Sequence, residues 1–220
     1  MKLELERDEL RKLVARQLQN LFLFDESGEG AALDSGLDDA LRRTEFCFAH
    51  RDDKYYRRNG EVYFNPFHSG QYSIFLYYLS NSVHRLHPGM FTLADRLYYL
   101  NKALNGFDLF YEVQMPAIFH LDHPVGAVLG RAVYGDYFFF SQNCTVGNNR
   151  GLYPTIGRNV RMMSGSKILG QCVIGNDVIV AANSYVKDTD VPPCSLVFGA
   201  SPDLSIVRKD EAYFRGHLTE

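Results

Sequence analysis

From Ile156 onward, aliphatic side chains return at every sixth place: Met162, Ile168, Ile174, Val180 and Val186. Four places after each aliphatic comes a small or compact residue, as at Val160, Ser166, Cys172, Val178 and Ser184. Gly157, Gly165, Gly170, Gly175 and Ala181 crowd the positions between. A helix repeats at 3.6 residues and a strand at 2, so neither produces this pattern. A period of six is the signature of a parallel β-helix, in which each short strand forms one side of a coil. The large aliphatic then points into the coil, and the small residue fits the turn where backbones approach closely. Extended upstream, the phase selects Val146, Phe140, Tyr134, Val128 and Asp122, with Cys144, Phe138, Ala132 and Gly126 in the compact slot. Between Val146 and Ile156 the coil is interrupted by GNNRGLYPT (147–155), an excursion rich in turn formers. Loops extruded from a regular scaffold often carry function. After Val186 the repeat stops, and Pro192, Pro193 and Pro202 suit a terminating segment because they cannot donate to a ladder.

The first half reads differently. Leu10, Leu13, Val14, Leu18, Leu21 and Phe22 lie at helical spacing, predicting an amphipathic helix over 3–24. DESGEG (25–30) reads as a loop, followed by a second helix begun near Asp34 or Ser35 and carried by Leu37, Leu41, Thr44 and Phe48. Residues 51–70 are polar, aromatic and irregular. Tyr72, Phe75, Leu76, Leu79 and Val83 mark a third helix, with His68 at its start making a helix-start hydrogen bond. A fourth has Thr92 as cap, Asp95 in the capping-box position, a stripe of Leu93, Leu97, Leu100 and Leu104, and Asn105-Gly106 as its stop. Strand-like coil begins near Asp108. The expected architecture is α+β: a helical N-terminal domain over 1–107, a β-helix over 108–203 and a C-terminal tail over 204–220.

Composition excludes several function classes. The 220 residues carry a net charge of −3 with no dense Lys/Arg block, which argues against nucleic acid as a partner. No apolar run approaches the ~20 residues that cross a bilayer, so no membrane partner is expected. The charged start MKLELERDEL is no secretory signal, and cytoplasmic residence follows as the expectation. Cys47, Cys144, Cys172 and Cys194 share no close spacing and read as buried thiols, not as disulfides or metal ligands. His120 and His123 have no third ligand at a recognisable spacing, so no metal is expected. Ser164 and Lys167 satisfy S-x-x-K, but inside the repeat phase and without that motif's companions.

The stretch Leu121-Asp122-His123 through Gly126 resembles the L-D-H-x-x-G segment of the serine acetyltransferase branch of the hexapeptide-repeat acyltransferases. Asp108, Gly147, Lys167-Ile168-Leu169-Gly170, Val191-Pro192-Pro193, Gly199 and Pro202 match the same family. The resemblance is strong from about 108 to 203 and weaker over the helices at 65–105. It implies a helical domain followed by a left-handed parallel β-helix, acetyl-CoA as co-substrate with no metal, and a homotrimer or a dimer of trimers with active sites between subunits. It further implies that His123 is the base and Asp108 its orienting carboxylate. A hydroxyl is a poor nucleophile while protonated, and a neutral imidazole can take that proton as the oxygen attacks a thioester. A carboxylate beside the imidazole fixes its tautomer and stabilises its cation. The separation of Asp108 from His123 approximates one turn of a three-sided coil.

By the same resemblance, Asp122 helps hold the acceptor, and Ser164, Gly165, Ala181 and Ala182 let pantetheine approach backbone amides. Three positions depart from the family. Its second active-site histidine is Tyr153 here, before Pro154. The arginine that grips the serine carboxylate is Leu152 here, with Arg150 two residues away as a substitute clamp. An aspartate before a proline in the helical domain is Asn65, before Pro66. Asn65, Arg150 and Tyr153 therefore join Asp122 as the candidate acceptor set. Losing a bidentate carboxylate clamp is not conservative. The altered pocket points to an acceptor other than free serine, a sugar hydroxyl of a surface polysaccharide, with Tyr134, Tyr137, Phe138, Phe139, Phe140 and Tyr153 as stacking surfaces or, preferably, as coil interior. The alternatives are a serine O-acetyltransferase of cysteine biosynthesis and a non-catalytic β-helix binding protein. Ending in His217-Leu-Thr-Glu220 without isoleucine, the chain is not expected to dock into a sulfhydrylase.

Overall fold

The structure, a computed structural model, describes residues 1–51 and 53–215. His217–Glu220 lie outside the described residues. The chain divides into two compact units, Met1–Glu112 and Val113–Glu220.

The first unit holds four helices: α1 (Arg7–Phe22), α2 (Glu26–Ala49), α3 (Ser69–Leu86) and α4 (Phe91–Asn105). Helix α1 starts later than predicted. A capping box between Glu6 and Glu9 fixes its first turn, while Lys2–Leu3 forms a strand parallel to Tyr63–Phe64. DESGEG is not a loop. Asp25 caps α2 by accepting the Ser27 backbone N–H at 3.0 Å, so the helix begins inside the segment. Glycines inside α2 allow close packing: a Cβ on Gly36 would come within 2.6 Å of a Val83 methyl on α3.

Residues 51–70 contain an antiparallel hairpin, Arg57–Arg58 with Glu61–Phe64, turned by Asn59-Gly60 at φ 55° and 81°. His68 caps α3 as expected, its Nδ1 accepting the Gln71 N–H at 3.3 Å. The cap of α4 is Met90, with no side-chain bond; Thr92 lies inside the helix, and Asp95 instead accepts from the Tyr111 hydroxyl at 2.9 Å. Leu93, Leu97 and Leu100 are buried, but Leu104 is exposed and Asn101 and Asn105 are buried in its place. Gly106, left-handed at φ 62°, ends α4 by donating to the Lys102 carbonyl.

The second unit is a parallel β-solenoid with three strand ladders. One runs Phe119–Leu121, Phe138–Phe140, Val160–Met162, Val178–Val180 and Ser195–Phe198, then ends in the antiparallel Ser205–Arg208. A second stacks Val128–Leu129, Thr145–Gly147, Lys167–Leu169 and Tyr185–Lys187, and the third Val133–Tyr134, Thr155–Ile156 and Val173–Ile174. The six-step aliphatics from Tyr134 to Val186 are all buried, as are Cys144, Val160, Ser166, Cys172, Val178 and Ser184 in the compact slot. Tyr134, Phe138 and Phe140 form an aromatic layer where the first coil passes into the second, with ring centroids 5.0 and 5.8 Å apart. All four cysteines are thiols, and Cys144 donates to the Met163 carbonyl at 3.2 Å.

Three expectations about the coil need correction. The first ladder strand is Phe119–Leu121, well after Asp108. Upstream of Tyr134 the phase slips: Leu121 and Leu129 are buried, whereas Asp122 is exposed and Val128 is 42% exposed. The cause is a corner two residues longer than its neighbour. Leu121 pairs with Phe140 and Val128 with Thr145, so 122–127 occupies the place that 141–144 fills one coil on. At the other end the coil does not stop at Val186. Val191 bridges Ile174, and Ser195–Phe198 pairs in parallel with Val178–Val180. Pro192 and Pro193 stand between these pairings, where no ladder bond is required of them.

Candidate active site

The corner that breaks the phase is the one that carries Asp122 and His123. Both are exposed. The Asp122 N–H donates to the Phe140 carbonyl at 3.1 Å, tying the corner's first residue to the coil above. His123 then turns out at φ 53°. Left-handed backbone is uncommon outside glycine, asparagine, aspartate and histidine. Gly126, at φ 74°, completes the corner beneath Asn143, where a Cβ would meet the Asn143 side-chain oxygen at 2.2 Å. The same column continues as Gly165 beneath Asn183. Inserting two residues below this column pushes the imidazole outward, while the glycine keeps the stack in register.

Asp108 belongs to the helical unit. The Tyr98 hydroxyl donates to its Oδ1 at 2.5 Å, and the Lys102 ammonium donates to its Oδ2 at 2.6 Å. Burial, then the bond to Asp108, pushes Tyr98 up to about 12. The hydrogen bond to Asp108 raises Lys102 as well. The sequence reading missed both partners, although Tyr98 and Lys102 stand one helical turn apart on α4.

The 147–155 excursion forms a tight reversal. The Asn149 and Leu152 backbones exchange hydrogen bonds at 3.0 Å, with Arg150 at φ 52° and Gly151 at φ 81° between them, a two-residue turn of the hairpin type. The register confirms its insertion, since Val133 pairs with Thr155 where Thr155 pairs with Val173 a regular coil later. The Asn149 amide donates to Asp188 at 2.5 Å and pins the excursion to the corner two coils on. Arg150 stands exposed at the tip, with Tyr153 44% exposed. Asn65 lies in the helical unit, its Oδ1 accepting the Phe67 N–H at 2.8 Å in a turn closed around Pro66.

Of the four candidate pantetheine positions, Ala181 and Ala182 line a groove of about 470 Å³ together with Arg161, Ile179, Leu196 and Tyr213. Ser164 and Gly165 form the adjoining corner, where the Ser164 carbonyl accepts the Asn183 N–H at 2.9 Å. The groove's other residues were missed. Arg161, Ile179 and Leu196 are the middle, outward-facing positions of three consecutive strands of one ladder, so apolar residues at outward positions were the readable signal. Phe139 on that ladder is buried beneath the Arg161 guanidinium, 4.2 Å from its ring centroid. With Tyr134, Phe138 and Phe140 inside the coil, most of the aromatic set is interior. Among the described residues, no group of three or more His, Cys, Asp or Glu is arranged to hold a metal ion, and no helix is long and apolar enough to cross a membrane.

Residues 153–188 match the family model described as bacterial transferase hexapeptide (six repeats). A serine acetyltransferase of Synechococcus elongatus is 32% identical over 108 residues, covering 47% of this chain and 44% of that protein. The chain thus matches less than half the length of this relative. A serine acetyltransferase structure from Vibrio cholerae superposes with a TM-score of 0.73 at 20% identity, covering 97% of this chain and 83% of that one. A serine acetyltransferase in complex with CoA superposes with a TM-score of 0.58 at 18% identity, covering 91% and 76%. These likenesses establish a helical region followed by a β-solenoid of the serine acetyltransferase type.

Proposed function

We propose that this protein is an acetyl-CoA-dependent O-acetyltransferase and that its acceptor is L-serine. The observation that carries the reading is the lengthened corner presenting Asp122 and His123 outward at the base of a hexapeptide solenoid. The relatives described above are serine acetyltransferases, so the sugar acceptor suggested by the altered loop gains no support and gives way to serine.

In this reading His123 accepts the proton of the acceptor hydroxyl as its oxygen attacks the thioester carbonyl. The carbon–oxygen bond forms, the carbon–sulfur bond breaks, and the imidazolium returns the proton to the departing thiolate. Transfer is direct, within a ternary complex. Asp108 orients the imidazole. A carboxylate offers about four acceptor sites, so the bonds from Tyr98 and Lys102 leave room for a ring N–H. Asp122, Asn65 and Tyr153 contact the acceptor, and Arg150, at the tip of the pinned turn, meets its carboxylate. Acetyl-CoA lies along the groove at Ala181 and Ala182, with Ser164 and Gly165 presenting backbone to the pantetheine arm. Trimerisation through the solenoid belongs to the same proposal.

The test is acetyl-CoA consumption with L-serine against sugars and nucleotide sugars. Turnover of serine at sub-millimolar concentration supports the acceptor assignment, and turnover confined to a sugar replaces it. His123→Asn separates an enzyme from a non-catalytic solenoid: an unchanged rate removes the base assignment.

A further inference from the structure

We infer that Phe198 and Tyr213 form a platform for the adenine ring of the acyl donor, so that the chain selects a nucleotide-bearing thioester over a bare pantetheine one. This deepens the acetyl-transfer reading and rests on its placing of acetyl-CoA in the groove at Ala181 and Ala182. Both rings line that groove. Phe198 is 42% exposed and Tyr213 45%. Two large aromatic side chains open to one groove of about 470 Å³ offer what a planar base stacks on, and stacking needs no particular hydrogen-bond pattern.

Position along the solenoid sorts the two ends of the donor. Leu121 pairs with Phe140, Phe140 with Met162, Met162 with Val180 and Val180 with Val197. The corner bearing His123 follows Leu121, and Phe198 follows Val197, so four ladder steps separate them. At the usual strand spacing of about 4.8 Å, the separation is about 19 Å. An extended pantetheine arm covers such a span, with the reacting thioester at His123 and the nucleotide at Phe198.

Tyr213 is held by the segment that follows the last strand. The Lys209 N–H donates to the Cys194 carbonyl at 2.9 Å and ties this segment to the coil. Asp210 accepts the Tyr213 N–H at 3.0 Å, at the start of the short helix α5 (Glu211–Arg215). Phe214 is buried, and its ring meets that of Tyr213 edge-on at 72°, with centroids 5.1 Å apart. The Tyr213 ring is thus presented to the groove already ordered, so little conformational entropy is lost when a base stacks on it. The Lys209 ammonium, 5.7 Å from the ring centroid, brings the charge that a neighbouring phosphate of the donor requires.

Calorimetric titration of the full chain with CoA and, separately, with pantetheine tests the platform. Tyr213→Ala is expected to weaken CoA about tenfold, the loss of one base–aromatic stack, and to leave pantetheine unchanged. Tyr213→Leu keeps apolar bulk without a ring face and should weaken CoA as much, whereas Tyr213→Phe should bind it as the wild type does. Circular dichroism establishes that each variant is folded. Unchanged CoA affinity in Tyr213→Ala or Tyr213→Leu, equal weakening of pantetheine, or failure of the wild type to bind CoA overturns the platform. The acetyl-transfer reading fails separately, when CoA binds in this pattern and no acceptor is acetylated.

Discussion

The two units reach the same burial by opposite means. In the helical unit, α3 is buried continuously from Gly70 to Val83 and must satisfy its polar side chains locally. Asn81 donates to the Tyr111 carbonyl and, with Ser82, accepts from Arg43, while Ser82 itself donates to Asp39. Every such bond joins particular partners. In the solenoid, burial is columnar: each interior position is roofed by its equivalent one coil later, and backbone meets backbone at the corners. A Cβ on Gly157 would lie 2.8 Å from the Gly175 carbonyl carbon, and one on Gly135 would lie 2.6 Å from that of Gly157. The close contact at Gly36 in the first unit is with a side chain, whereas those at Gly135 and Gly157 in the second include main chain. The first unit can adjust to a change, whereas the second transmits it along the column.

Four measurements break or sharpen that contrast. The largest effect belongs to chemistry carried on the solenoid surface. His123→Asn should lower acetyl transfer by roughly 10²–10⁴-fold, the usual yield of a general base, while melting temperature hardly moves, because asparagine tolerates the left-handed backbone. A large loss of stability instead would make His123 a structural corner residue. Next comes Gly157→Ala, expected to cost about 3 kcal/mol in denaturant unfolding because the added Cβ would meet the Asn176 side-chain oxygen at 2.6 Å and the main chain of Gly175 and Asn176 at 2.8 Å. Tyr98→Phe should cost about 1.5 kcal/mol through its bond to the Asp108 carboxylate. Since Tyr98 is raised from 10.0 to about 12 in the folded protein, its contribution is whole below pH 10 and is lost as the pH rises through 12. Tyrosinate absorbance, compared between wild type and variant, reads that window. The smallest effect is Gly36→Ala in α2, expected to fall within about 1 kcal/mol of zero. The clash is with a movable Val83 methyl, and alanine gains about 1 kcal/mol of helix propensity. Equal costs for the two glycine variants would erase the contrast between the units.

What the sequence disclosed follows the same division. The solenoid was legible because one rule repeats in it: six residues, one aliphatic, one small. That rule fails wherever a corner changes length, since a count in sixes cannot register an insertion that another stretch offsets. Leu129 was therefore read as Val128, and Asp122 was placed inside. The helices were legible from their stripes, but their ends were not. Glycines at 28 and 30 imitate a loop, and their place in α2 depends on Asp25 capping and on packing between helices. The hairpin at Arg57–Phe64 hid among aromatic and charged residues, although Asn59-Gly60 was a usable turn signal. At the candidate site, the Asp-His pair was readable as a motif. The hold of Tyr98 and Lys102 on Asp108 and the apolar groove beside Ala181 depend on neighbours that no local pattern announces.

The lengthened corner at 122–127 and the reversal at 149–152 share a property with a consequence for how such a protein changes over generations. Extra residues at a vertex leave the ladder pairings of later coils intact, so chemistry can be gained, shifted or discarded by small insertions and deletions without redesigning the interior. Descendants of one scaffold can thus diverge in substrate through events that spare the strands, and vertex lengths would be the place to look for the record of that divergence.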